Sequence, residues 1–541
     1  MRFFFSLILS IAFLFYLPTL LFGTTSSSSI PEWGYNKRGT SLKNSDYYWE
    51  MEAGYGNDKN NDGRIDIPNT SEYFSTNRFN IVLGLTDSFL AKNHLSLNNA
   101  DKFILSLEAT ANGKNYVALG KGRALLLKNV AVGSYQGTLT LRYQTKRYDI
   151  PITINPKKYT IVAMGDSYIS GEGAPERIYH RGNYSLWADG GINSPALLNH
   201  ARAHRSSKSW ASQLALFLEQ EDPHSSIIFI FVASSGAWTS SGILEPYGGT
   251  DDTLGGRLPG QIDELVDITK GGVIDYLFFT TGGNDLGFVP VITLGILLKD
   301  RKGSSKPSPS YIEKIDRVIQ CSKDGLWKNA PFATLFGYKK AKPRLGLIGL
   351  TGALTKLDNQ LKQRLHVKNI VFVGYPLPVN ANEDTLLDLV KGFSISGYEA
   401  NRVINEIMIP YDEFSRAISK KFGWHYISLL RAYDYSKHGY NGSIAYEPQD
   451  YNNYIESLEL PLSYSRFRDI ALNKEVAWFR KASDSVVIQG AAMDGRRAHK
   501  LNTKGTIHPN ELGYQAIMHH VLQNIALPKD FPSDFQNEYK Q

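Results

Sequence analysis

Apolar and polar positions alternate with period two between about residues 78 and 155. Leu139, Leu141 and Tyr143 alternate with Thr138, Thr140 and Arg142, and Tyr148, Ile150, Ile152 and Ile154 share one face of the next stretch. Alternation of this kind predicts strands with one face buried. Adding Phe79 to Leu85 and Phe103 to Leu107 gives four or five short strands separated by Gly/Asn turns. That spacing predicts a β-sandwich of roughly 80 residues, a spacer or binding module without catalytic chemistry. Past residue 157 the pattern changes. Thr160 to Met164, Ile227 to Ala233, Tyr276 to Thr281 and Ile370 to Val373 are continuous apolar runs, as parallel strands buried on both faces require. Helical spacing separates them, in Trp210, Leu214 and Phe217 and again in Leu350, Leu354, Leu357 and Leu361. The second region therefore predicts a three-layer α/β domain on a parallel sheet, whose ligands bind beyond the carboxyl ends of the strands.

The amino-terminal pattern concerns targeting. Residues 3 to 22 are almost wholly apolar after Arg2, and then break into Gly23, Thr24, Thr25 and Ser26 to Ser29. This predicts a secretory signal peptide over residues 1–25. About 20 apolar residues can also span a bilayer, so an uncleaved anchor is the alternative. Either way the remainder is expected outside the cytoplasm: secreted, periplasmic or at the cell surface. Composition adds exclusions. One cysteine among 541 residues allows no internal disulfide, no Cys-based zinc cluster and no lipoprotein anchor at the boundary. The net charge of +7 comes from 59 basic and 52 acidic residues, with no dense Lys/Arg block, and does not point to nucleic acid.

Before the sandwich, residues 57 to 66 read NDKNNDGRID. Asp58, Asn60, Asp62, the Arg64 carbonyl and Asp66 take the alternate positions from which a loop wraps one hard cation, and Gly63 takes the sharp turn. The spacing resembles the calcium loops of extracellular bacterial proteins. Asn69 stands where a bidentate glutamate is usual, and no helix pattern flanks the loop. A structural calcium and a solvated Asp/Asn/Gly turn are both open readings.

Three of the four predicted parallel strands are followed by a short polar block. Gly165-Asp166-Ser167-Tyr168 follows the first, Ser235-Gly236-Ala237 the second and Gly282-Gly283-Asn284-Asp285 the third. Near the carboxyl terminus, Gly505-Thr506-Ile507-His508-Pro509-Asn510 leads into a helical pattern. Asp166 and Asp285 read as braces for their loops, and His204 as a structural hydrogen bonder. Ser167, Gly236, Asn284 and His508, in this order, resemble the four blocks of the SGNH (GDSL) hydrolases. GDSYISGEGA is similar to the GDSYSSGEG form of the secreted bacterial esterase/lipase branch, and His204-Arg205-Ser206, Gln261 and HPNELGY resemble that branch too. The sandwich ahead of it resembles PKD or Ig-like modules.

The resemblance implies an exported serine ester hydrolase (esterase or lipase) on a flavodoxin-like parallel sheet. Ser167 and His508 would be catalytic, and Ser167, Gly236 and Asn284 would form the oxyanion hole. No cofactor is implied for catalysis. The implied substrate is an acyl ester, lipid or acylated polymer, with contact to a membrane surface or a polysaccharide. Carbohydrate O-acetyl esterase and noncatalytic surface or adhesive protein are the alternatives. One position departs from the family: Gly505 stands where an aspartate usually orients the histidine. A backbone carbonyl near 504 to 506 or the side chain of Asp494 would have to do so, or hydrolysis would be impaired. The expected organisation is a signal over 1–25, a linker over 26–77 carrying the loop 58–69, a sandwich over 78–156, and a hydrolase domain over 157–530 with insertions at about 289–345 and 430–490.

Overall fold

The computed structural model describes residues 20–21, 45–52, 71–176, 187, 195–249, 256–288, 290–291, 294, 307–334, 339, 343–377, 385–386, 394–430, 478–480, 485 and 504–527. The calcium expectation at 58–69, Asp494 and most of the expected signal lie outside these residues. The chain divides into two compact units: Met1–Asn57, Ser75–Tyr159 and Leu218–Ile228 form one, and Asp58–Phe74, Thr160–Phe217 and Phe229–Gln541 the other.

The first unit is built from two antiparallel sheets. One has strands β1 (Tyr47–Met51), β2 (Arg78–Leu85) and β5 (Ala124–Ala131) in the order β1-β2-β5. The other has β3 (Ile104–Ala111), β4 (Lys114–Lys121), β6 (Tyr135–Tyr143) and β7 (Lys146–Ile154) in the order β4-β3-β6-β7, with the pair Leu20–Leu21 parallel to β4 at its edge. The period-two positions behave as their pattern requires: Leu105, Leu107, Leu139, Leu141, Ile150, Ile152 and Ile154 are buried, and the residues between them are largely not. Burying each such side chain stabilises by about 1.5–3 kcal/mol. Tyr47–Met51, expected as linker, is a full strand paired from Tyr47↔Leu85 to Met51↔Ile81. Its sequence YYWEM hides the alternation because Glu50 is itself buried.

The second unit is organised by a five-stranded sheet of β8 (Lys157–Gly165), β9 (Ser225–Phe231), β10 (Val273–Thr280), β11 (His366–Val373) and β12 (His425–Ile427), in the order β9-β8-β10-β11-β12. The β8/β10, β10/β11 and β11/β12 pairs are parallel. The chain is thus α/β, with the doubly wound order 2-1-3-4-5, and the order reverses between β8 and β10. All four apolar runs lie in this sheet. Phe279 and Phe372 stack across β10 and β11 with ring centroids 4.6 Å apart, and Trp210 packs edge-on to Phe278 at 5.7 Å. β12 is three residues long, too short for its pattern to stand out in HYI.

Helices cover the sheet between strands. α1 (Ser167–Ser170), α2 (Pro195–Ala203), α3 (Trp210–Glu221), α4 (Gln261–Thr269) and α5 (Gly283–Leu286) precede α6 (Pro309–Asp324) and α7 (Gly346–Arg364). Leu350, Leu354, Leu357 and Leu361 are the buried stripe of α7, at the spacing read from the sequence. α8 (Gly397–Val403) runs through a π-helical turn, Ile404–Met408, into α9 (Ile409–Phe422), and α10 (Glu511–Asn524) closes the unit. The three blocks containing Ser167, Gly236 and Asn284 leave the carboxyl ends of β8, β9 and β10, the adjacent strands at the order reversal.

Candidate active site

The turn after β8 is held by backbone constraint and a buried carboxylate. Gly165 has φ +129°, and a Cβ there would lie 2.1 Å from the Thr280 carbonyl oxygen, so only glycine lets β8 approach β10 this closely. Gln261 clamps the same residue, accepting from its N–H at 2.6 Å and donating to its carbonyl at 2.8 Å. Asp166 caps α1 by accepting from the Tyr168 N–H at 3.1 Å. It also accepts from Thr280 Oγ1 at 2.7 Å and from the Tyr375 hydroxyl. Burial raises the Asp166 carboxyl above its ordinary value, against the pull of these donors. Ser167 is thereby fixed as the first helical residue beyond the strand.

His508 meets Ser167 from the other end of the chain. Its Nε2 lies 2.8 Å from Ser167 Oγ, and its Nδ1 lies 3.2 Å from the Thr506 carbonyl oxygen. A carbonyl can only accept, so Nδ1 carries the proton and Nε2 is left to accept from the serine hydroxyl. Of the two orienting groups expected, the carbonyl is in contact, and Asp494 lies outside the described residues. The loop is braced throughout. Ile507, a β-branched residue at φ +69°, donates its N–H to the Arg480 carbonyl at 2.8 Å, while the Arg480 N–H donates to the His508 carbonyl at 2.9 Å. The Tyr168 hydroxyl donates to the Ile507 carbonyl at 3.0 Å. Burial pushes the His508 imidazole below its ordinary value, with Glu172 and the Thr506 and Lys504 carbonyls opposing that fall.

The other two blocks supply hydrogen-bond donors. Gly236 sits at φ +76°, in a turn closed by the Ala237 N–H on the Ser234 carbonyl at 3.1 Å. Asn284 Nδ2 donates to the Ala237 carbonyl at 2.9 Å, and the second hydrogen on that nitrogen can be given to a ligand. Neither the Ser167 nor the Gly236 N–H donates to another backbone carbonyl among the described residues. Asp285 braces these turns by accepting from the Thr239 N–H at 3.0 Å and Thr239 Oγ1 at 2.9 Å, and burial pushes its carboxyl up to about 6. Arg344 donates to the Asn284 carbonyl and stacks on Trp238, 4.4 Å from the ring centroid.

A narrow pocket, partly open to solvent, starts at Ser167 and Asn284. Its wall beyond them is mainly apolar, with Leu286, Phe288, Val291, Val403, Ile407 and Met408 beside Ser322 and three tyrosines. Sequence reasoning missed Tyr375, which holds Asp166 and accepts from the Gly283 N–H at 2.9 Å, because it stands 209 positions from the carboxylate it serves. His204, read as a structural hydrogen bonder, is buried and lies 2.7 Å from the Glu172 carboxylate. Among the described residues, no group of three or more His, Cys, Asp or Glu side chains is placed to hold a metal ion.

No protein-family model and no curated protein matches the chain. Solved structures do overlap with it. An extracellular lipase from Streptomyces rimosus is 16% identical over 68% of this chain and 100% of its own, with a TM-score of 0.36. A phospholipase A1 from Streptomyces albidoflavus is 17% identical over 68% and 99%, with a TM-score of 0.35. An acetylxylan esterase from Geobacillus stearothermophilus is 11% identical over 68% and 95%, with a TM-score of 0.28. Likeness at these scores is slight, and the chemistry of the site stands on its own geometry. That geometry offers a serine hydroxyl on a neutral imidazole nitrogen, donors on the two adjoining turns, and an apolar pocket leading away from the same serine.

Proposed function

We propose that the protein is an exported serine ester hydrolase acting on esters with an extended acyl chain. The observation that carries this reading is the Ser167 Oγ to His508 Nε2 contact of 2.8 Å at the mouth of the apolar pocket. His508 takes the proton of Ser167 as Oγ attacks the ester carbonyl carbon, and the carbonyl electrons move onto oxygen. The N–H groups of Ser167 and Gly236 and the Asn284 amide donate to that oxyanion. Losing one such donor costs about 10²–10³ in rate. As the intermediate collapses, His508 protonates the leaving alcohol. Water then attacks the acyl-serine, giving its proton to His508, and the acid leaves as Ser167 recovers a proton.

The pocket's apolar lining supports an acyl chain over an acetyl group, since burying each methylene contributes about 0.8 kcal/mol. The loop at 58–69 supplies none of the residues of this proposed chemistry. Hydrolysis of p-nitrophenyl acetate, butyrate and palmitate by the wild type and by Ser167→Ala tests the reading. Ester hydrolysis is expected to vanish in the variant, and the wild type to prefer the longer chains. Equal rates for the two proteins would overturn the enzyme reading, and a preference for acetate would point instead to an O-acetyl esterase.

A further inference from the structure

On the hydrolase reading above, His508 becomes an imidazolium during each turnover, yet position 505 offers it no carboxylate. A buried carboxylate stands near it, on the turn that packs against the histidine. Glu172 is 1% exposed and follows α1 directly: its N–H donates to the Ser167 carbonyl at 3.2 Å. Its own carbonyl accepts from the Tyr514 hydroxyl at 2.7 Å, and the same hydroxyl lies 3.3 Å from the Ser167 carbonyl. The next residue, Gly173, has φ +93°, and a Cβ on it would lie 3.0 Å from His508 Cβ. Residue 172 is therefore one peptide away from contact with the histidine. Its side chain accepts from His204 Nδ1 at 2.7 Å and is bonded to Ser235, the neighbour of Gly236. His204 is in turn stacked on Trp187, with ring centroids 4.3 Å apart.

We propose that Glu172 is a positioning residue: its buried carboxylate, fixed by His204 and Ser235, supplies the negative charge near His508 that position 505 lacks and steadies the Gly236 turn. Burial alone would raise the Glu172 carboxyl, but His204, His508 and Ser235 outweigh it and keep the group ionised. The other groups facing His508 do not duplicate it. The Tyr168 ring lies 4.8 Å away between centroids, and the Thr506 and Lys504 carbonyls are neutral acceptors. Asp166 lies behind Tyr168 and is taken up by Thr280 and Tyr375. Arg480 is cationic and donates to the Gly173 carbonyl at 2.8 Å. His204 opposes the Glu172 field at His508 when it is protonated.

The test is an NMR titration of the His508 imidazole, assigned by comparison with His508→Gln, alongside the kinetics of Glu172→Gln and Glu172→Asp. A carboxylate favours the imidazolium, so Glu172→Gln is expected to move the His508 midpoint to lower pH. The acid limb of the rate profile should move with it. The kcat value should fall about tenfold or more, short of the roughly 10⁴-fold loss that follows removal of a directly bonded triad acid, while KM changes little. Glu172→Asp keeps the charge and should recover part of both shifts. A folded Glu172→Gln with an unchanged or raised His508 midpoint overturns the proposal. If that variant does not fold, His204→Gln retains a donor without a titrating ring. Its His508 midpoint should then stay or rise, and a fall overturns the proposal. The titration is read without turnover, so an inactive wild type would refute the hydrolase reading and leave this measurement intact.

Discussion

His200 is buried on α2, edge-on to Phe231, with no hydrogen-bond partner for its Nε2 among the described residues. Burial, with the nearby Arg205 charge, lowers its pKa to about 3. Between about pH 6.5, the ordinary histidine value, and that lowered value, the unfolded chain binds a proton that the folded chain refuses. Stability is therefore complete above the ordinary value and declines as the pH falls, by up to about 1.4 kcal/mol per unit. His508, also lowered by burial, acts in the same direction. Replacing His200 by leucine removes its share. The drop in melting temperature from pH 7 to pH 4.5 should be smaller in His200→Leu than in the wild type, as calorimetry can measure. Parallel curves would mean that His200 does not carry this acid sensitivity.

The helical passage α8–α9 contains the π-turn Ile404–Met408, and Val403, Ile407 and Met408 from it face the pocket. An extra residue in a turn re-aims the side chains that follow and is frequent at functional sites. If this wall seats the acyl chain, Ile407→Trp should obstruct its far end. The kcat/KM ratio for palmitate over butyrate is expected to fall roughly tenfold or more, the scale set by the loss of one or two methylene contacts. An unchanged ratio would place the chain elsewhere. The wall was not legible in the sequence, where no local pattern marks Val403, Ile407 or Met408 as pocket residues. By contrast, β8 to β11 were legible because strands buried on both faces leave unbroken apolar runs. Ser167, Gly236, Asn284 and His508 were legible through the resemblance carried by their four short blocks, each standing after an apolar run or before a helical pattern. The pairing of Glu172 with His204 and of Asp166 with Tyr375 was not, since each joins residues distant in the chain that have no local pattern.

For the molecule as a whole, the sequence expectation is export, and the described residues bear on what removal of a signal would do. Leu20–Leu21 pair with Tyr116 and Val117 at the edge of the β4-β3-β6-β7 sheet. β4 is already paired with β3 from Ile104↔Lys121 to Ala111↔Lys114. Cleavage after residue 25 would return β4 to the edge, where Lys114 and Lys121 discourage pairing with another chain. Intact mass of the exported protein is expected to place its first residue near Ser26. A form lacking residues 1–25 is expected to melt within a few degrees of the full chain, because among the described residues it loses the two strand pairs of Leu20 and Leu21. Recovery of the exported chain with Met1 retained would identify an anchor instead of a signal.

The acceptor beneath His508 is a peptide carbonyl, held by the left-handed turn at Ile507 and the two hydrogen bonds to Arg480. A carboxylate in that place would take up a proton in acid and could be erased by changing one codon. A main-chain oxygen is subject to neither. The imidazole tautomer is therefore set by an element without a titration of its own, and side-chain replacement at 506 leaves that oxygen in the chain. Its weak point is the path of the backbone, which places the vulnerability at Ile507 and Arg480, outside the reacting atoms.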